Sequence, residues 1–221
     1  MKLRPLLLSL CALALGACQT SVVRHLPEAA VADCPAALQG AWRSRAGGGQ
    51  DDFGVLIAAD CGIHLLGGCD PLAEEKIITA ARYWQRADIT LMFLPMASVR
   101  AADDVPLEEN LRDTHLVVRW TAEDEGAVVD FPDHRRLATL IVNGAVNGAT
   151  QWSGSTGENI VESDAAALTD LLWEPLFFNT EDRRWLQRFD SGREALATAL
   201  QTNAADECRV GPPAATERDD D

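Results

Sequence analysis

The sequence predicts a mainly β domain with C-terminal helices, an α+β chain forming an antiparallel barrel or meander with helices packed beside it. Three observations carry this expectation. Short apolar runs separated by polar turn residues fill residues 53–131. Capped segments with helical apolar spacing take over from residue 133. After the first 15 residues, no uncharged apolar run approaches the roughly 20 residues a spanning helix needs.

The strands read in order. Phe53 to Ala59 and Ile63 to Leu66 flank Asp60-Cys61-Gly62, a three-residue hairpin signal with Gly62 offered for positive φ. Residues 71–84 are ambiguous: Asp70-Pro71 with Glu74 and Glu75 resembles a helix start. Ile77-Ile78-Thr79 and Tyr83-Trp84 instead favour a strand from Lys76 onward, turning through Gln85 to Asp88. Ile89 to Leu94 is apolar on both faces and is predicted to be covered on both sides. His115 to Ala122 and Ala127 to Phe131 flank the turn Glu123-Asp124-Glu125-Gly126.

Helices follow. Asp133 to Val142 has an acidic cap and ends at Asn143-Gly144. Residues 143–158, rich in Gly, Asn and Ser, read as a surface loop. Ser163 caps Asp164 to Trp173, and Pro175 stops it. Two more helices are predicted over Thr180 to Phe189 and Ser191 to Gln201, the latter with a Ser191…Glu194 capping box.

The chain begins with a basic start, Met1-Lys2-Leu3-Arg4, then an apolar run from Pro5 to Leu15 broken only by Ser9. The small pair Gly16-Ala17 precedes Cys18. That order is a secretory signal peptide over 1–17. Leu15-Gly16-Ala17-Cys18 resembles the lipobox of bacterial lipoproteins. The resemblance implies a diacylglyceryl group and an added acyl chain on Cys18, cleavage before it, and attachment to the membrane. Gln19, in place of an Asp, then implies the outer membrane facing the periplasm. Two or three acyl chains anchor far more firmly than one, at about 0.8 kcal/mol per buried methylene. Residues 18–33 lack periodicity and read as a lipidated tether spanning roughly 20–25 Å as a coil. The domain then covers 34–209, and 210–221, ending in an Asp triplet, reads as a disordered acidic tail.

The formal charge is −15, and loss of Lys2 and Arg4 with the leader makes it −17. Such a surface repels nucleic acid and anionic headgroups. Once Cys11 leaves and Cys18 is lipidated, Cys34, Cys61, Cys69 and Cys208 remain. An even number in an oxidising compartment implies two disulfides. Cys61 at a hairpin turn and Cys69 beyond its end are too far apart to join in a regular hairpin, which favours Cys34–Cys61 with Cys69–Cys208. A zinc set of Cys61, His64, Cys69 and Asp70 matches no strong ligand spacing, so no metal or cofactor is expected.

Leu38-Gln39-Gly40-Ala41-Trp42 carries a Gly-x-Trp tripeptide. With the strands, the His115-Leu116-Val117-Val118 segment and the later helices, it resembles uncharacterised bacterial lipoproteins with a lipocalin-like β-barrel. The resemblance spans about Leu38 to Phe189 and implies that Trp42 closes one end of a barrel against the turn of chain before it. The cysteines and the 143–158 segment depart from that pattern.

Catalytic signatures are weak. His25 lies in the tether, His64 and His115 in strands, and His134 in an Arg-rich first turn. Ser153-Gly154-Ser155-Thr156-Gly157 has the residue types of a nucleophile elbow without its spacing. Asp103-Asp104, Glu108-Glu109 and Glu123-Asp124-Glu125 lack the pattern of a calcium loop and read as solvated turns. Trp42, Trp84 and Trp120 fall in strands, Trp173 and Trp185 in predicted helices. These residues favour a filled core, although they would line a pocket for a small apolar ligand equally well. The expectation is a non-enzymatic lipoprotein, either holding such a ligand or, with a filled core, serving as a structural or interaction protein of the envelope.

Overall fold

The computed structural model describes residues 19–44, 53–153, 156–174 and 177–208. The expected signal peptide 1–17, Cys18 and the expected tail 210–221 lie outside the described residues.

Twelve strands make one sheet. In chain order they are β1 (Gln19–Val23), β2 (Gly40–Ser44), β3 (Gly54–Ile57), β4 (Ile63–Leu66), β5 (Lys76–Ile78) and β6 (Arg82–Arg86). Then come β7 (Ile89–Pro95), β8 (His115–Glu123), β9 (Gly126–Pro132), β10 (Gly148–Ser153), β11 (Thr156–Val161) and β12 (Phe178–Phe189). The helices are α1 (Met96–Ala102), α2 (His134–Val142), α3 (Ala165–Leu172) and α4 (Gly192–Cys208).

Nine strands run antiparallel in the order β6-β7-β8-β9-β12-β2-β3-β4-β5. The first residues of β8 also pair with β1, which lies parallel to β11 along its whole length, and β11 pairs with β10 at the edge. The sheet is therefore mixed. Its strands β5 and β6, consecutive in the chain, each pair elsewhere, so it stays open instead of closing into the expected barrel. The coarser expectation of a mainly β chain with helices stands.

Strand β7 shows why both of its faces had to be apolar. Met92 and Leu94 enter one core with Trp42, Val55, Ile63, Val118 and Trp120. Leu91 and Phe93 enter a second, with Val117, Leu137 of α2 and Leu168 and Leu172 of α3. One sheet thus separates two apolar layers. Asp133 caps α2 by accepting from the Arg136 N–H, and Gly144 at φ +71 ends it. Asp164, one residue beyond the expected Ser163, caps α3.

Three expectations are corrected. Residues 19–23, expected to be tether, form β1 between β8 and β11, with Val22 and Val23 buried. Five residues are too few to show a period, and a strand flanked on both sides need not alternate. The expected 143–158 loop contains β10 and the start of β11, which pair antiparallel. Its glycines allow close strand approach: a Cβ on Gly148 would lie 2.3 Å from the Ile160 carbonyl oxygen. The expected helix 180–189 is the second part of β12, which carries Trp185. Its Glu, Arg, Leu and Gln residues favour helix locally. Pairing with both β9 and β2 overrides that preference, since each strand would otherwise leave a row of unbonded backbone groups.

Candidate functional site

One face of the sheet holds a partly enclosed cavity of about 120 Å³. Its wall alternates along the strands, as a pleat requires: Leu116, Val118 and Trp120 on β8, Val129 and Phe131 on β9, Met92 and Leu94 on β7. Val55, Ile63, Leu65 and Ile78 supply the opposite side, and Val99 of α1 covers it. The charged side chains on the wall are Asp103 and Arg184. Asp103 is held by the Lys76 ammonium at 2.6 Å, which neutralises it beside the apolar space. The apolar alternation was visible in the sequence; the unfilled volume was not.

Trp42 closes off the same core. Its indole N–H donates to the Leu38 carbonyl at 2.8 Å, and its ring meets Trp120 edge-on with centroids 4.9 Å apart. The Arg188 guanidinium stacks over Trp42 at 5.1 Å and donates to the carbonyls of Ala37 and Gln39. Gly40, at φ +123, lets the chain turn between these contacts; a Cβ there would sit 3.1 Å from Arg188 Nη2.

Cys34 and Cys61 form the expected disulfide, with Cα atoms 5.5 Å apart. The turn at Cys61 differs from expectation: Cys61 itself takes positive φ, +66, while Gly62 does not. Cys69 is also disulfide-bonded; the side chain of its expected partner, Cys208, lies outside those described. With Cys61 and Cys69 both oxidised, the zinc reading loses its thiolates, and no cluster of metal-ligating side chains occurs among the described residues.

His64 and His134 have structural partners, while His25 is exposed. His64 Nδ1 lies 3.0 Å from Glu75, which also accepts from the Arg193 guanidinium. The Arg193 hydrogen bonds hold the Glu75 carboxyl below its usual range. His115 has a buried Nδ1 with no hydrogen-bond partner, and desolvation lowers its pKa, as does the nearby Arg82 charge. His134, expected on an exposed run, is half-buried with Nδ1 2.8 Å from the Ser21 hydroxyl. That pairing was invisible at a separation of 113 residues. Ser21 is only 2% exposed and also accepts from Asn159, so its hydroxyl is sequestered from substrate. Ser153 ends β10, and the neighbouring Gly154 and Ser155 lie outside the described residues.

Glu108 and Glu109 are exposed, the latter 3.1 Å from Arg112. Glu123 ends β8, and with Asp124 and Glu125 of the turn it lines a second recess of about 460 Å³, together with Asp88 and Trp185. Asp130 is buried against Arg119 at 2.6 Å and Arg183 at 3.3 Å. No helix among the described residues is long and apolar enough to cross a membrane.

No family model, no curated protein and no solved structure matches this chain.

Proposed function

We propose that this chain is an exported lipoprotein, anchored through Cys18 to the periplasmic face of the outer membrane, that holds a small apolar ligand without acting as an enzyme. The cavity carries the reading. About 120 Å³ of space lined by Val, Leu, Ile, Met, Phe and Trp costs contacts that a filled core would have made. An engineered apolar cavity of about 150 Å³ stays dry and takes up benzene. A ligand of that class, a single ring or a short hydrocarbon segment, matches the volume and needs no polar partner. The Gly40-Ala41-Trp42 segment supports the lipocalin-like resemblance locally, since Trp42 packs on the turn before it. The anchor reading rests on the leader and the Leu15-Gly16-Ala17-Cys18 pattern.

Native mass spectrometry of the chain from Gln19 onward, purified from an oxidising periplasm, tests the carrier reading. An added mass released by organic solvent is expected. A bare chain that also fails to take up small aromatic or alkyl probes would overturn it. The structural reading would then be preferred, with Trp185 and the acidic β8–β9 turn as the surface for an envelope partner. For the anchor, Cys18→Ser is expected to abolish acylation and membrane partitioning.

A further inference from the structure

The strand register places an exposed tryptophan beside the start of the mature chain. Gln19 pairs with Gly157 on β11, and Gly157 pairs with Trp152 on β10. Two interstrand spacings separate the Gln19 and Trp152 backbones, roughly 10 Å. Cys18 is one Cα step, about 3.8 Å, before Gln19. Trp152 therefore stands within about 15 Å of the residue read as lipidated.

Two further features mark this edge. Trp152 is 58% exposed although its ring lies across Gly157, where a Cβ would come within 2.8 Å of it. Covering a glycine accounts for one side of the ring and leaves the rest in solvent. In a chain with formal charge −15, residues 143–157 carry no charge, and neither do Gln19 to Val23. The stretch ends at Glu158, whose buried carboxylate lies 3.7 Å from Arg100, so this edge presents little charge to a membrane. The headgroup layer is roughly 5–8 Å deep on each side of the hydrocarbon. Tryptophan favours that layer because its ring is apolar and its N–H still finds polar partners.

We propose that Trp152, on the edge strand β10, inserts into the headgroup layer beside the Cys18 lipid and fixes the orientation of the domain on a zwitterionic membrane. The inference rests on the Cys18 anchor proposed above. Acyl chains alone would leave the domain free to tumble on its attachment; a second contact about 15 Å away removes that freedom. The acidic remainder of the surface then faces water.

The test uses the full mature protein, processed in cells and reconstituted into phosphatidylcholine and phosphatidylethanolamine vesicles carrying brominated acyl chains. Wild type is compared with Trp152→Phe, which keeps an aromatic ring over Gly157. The bromine-quenched part of the tryptophan emission is expected to fall at least twofold in the variant. Mass spectrometry of the same preparation reports acylation at Cys18. An acylated chain with equal quenching in both proteins overturns this proposal and leaves the anchor intact. A chain without acyl groups overturns the anchor reading and this proposal with it.

Discussion

The Tyr83 hydroxyl donates to the Cys61 carbonyl at 3.2 Å, and the Tyr83 backbone bridges Val31 through hydrogen bonds of 2.8 and 2.9 Å. Tyr83 thereby joins the two segments that the Cys34–Cys61 disulfide links covalently. Burial pushes the phenol pKa from 10.0 up to about 12. As Tyr83 is the chain's one tyrosine, phenolate absorbance reports this group alone.

The native absorbance step is expected near pH 12, against about 10 in denaturant. Because the folded value is the higher, this group's stabilisation is complete below pH 10 and is lost as pH rises toward 12. Tyr83→Phe is expected to cost about 1 kcal/mol in denaturant melts, the usual net value of one such hydrogen bond. A native step at pH 10 would contradict the buried, bonded phenol.

Removing the disulfide separates crosslinking from backbone strain. The two cysteines are 27 residues apart, a loop whose closure is worth about 3–4 kcal/mol in the chain-entropy account. Cys34→Ser with Cys61→Ser is expected to lose that amount. Cys61 also takes φ +66, which costs an L-residue about 1 kcal/mol and glycine almost nothing. Cys34→Ser with Cys61→Gly should therefore unfold at higher urea than the double serine variant. Equal midpoints would show that the turn relaxes once the bond is gone.

What the sequence made legible was local. The hairpins over 53–66 and 115–131 and the turn from Tyr83 into Leu94 link neighbouring segments, so alternation and turn residues specify them. Asp133 and Gly144 bracket α2 in the same way. Strands β1, β11 and β12 depend on partners far along the chain. Thr20 meets Glu158, and Trp42 meets Arg188, through contacts no local pattern announces. The helix-favouring residues of 180–189 even point the wrong way. At the cavity, alternation identified inward-facing side chains such as Val118 and Trp120. Whether they met across it depended on how far the sheet curled.

Glu75 provides an acid-side test. Hydrogen bonds from Arg193 lead the causes that lower its pKa below 4.5, with His64 adding to them against desolvation. The folded value is the lower, so the stabilisation is present above pH 4.5 and lost as pH falls through the folded pKa. Glu75→Gln is expected to melt below wild type at pH 7, with the gap closing under acid conditions. A gap of constant size between pH 7 and pH 3 would mean that shape, not charge, matters at this site.

Asp130 is the buried charge on which the β8, β9 and β12 strands converge. Its carboxylate accepts from Arg119 at 2.6 and 3.1 Å and from Arg183 at 3.3 Å, while Arg119 stacks 4.5 Å over Phe178. Removing one partner of a buried pair leaves the other uncompensated, at about 3–5 kcal/mol. Asp130→Asn should fall at the low end, because Arg183 retains water access. Arg119→Met with Asp130→Leu should recover much of the loss, which urea unfolding of the two variants would measure.

Val117 and Val118 are adjacent on β8 and face opposite layers, Val117 the close-packed core under α2 and α3, Val118 the cavity. The same substitution should therefore change sign between them. Val118→Ile adds one methylene to unfilled apolar space and keeps the β-branched shape, so it should stabilise the ligand-free protein by up to about 0.8 kcal/mol. Val117→Ile adds it where Val117 is fully buried, and overpacking costs about 1–3 kcal/mol. If the cavity holds ligand, Val118→Ile should also weaken uptake of a small apolar probe, with Val117→Ile leaving it nearly unchanged. Destabilisation of the same size at both positions would mean that the cavity has no room for the added carbon.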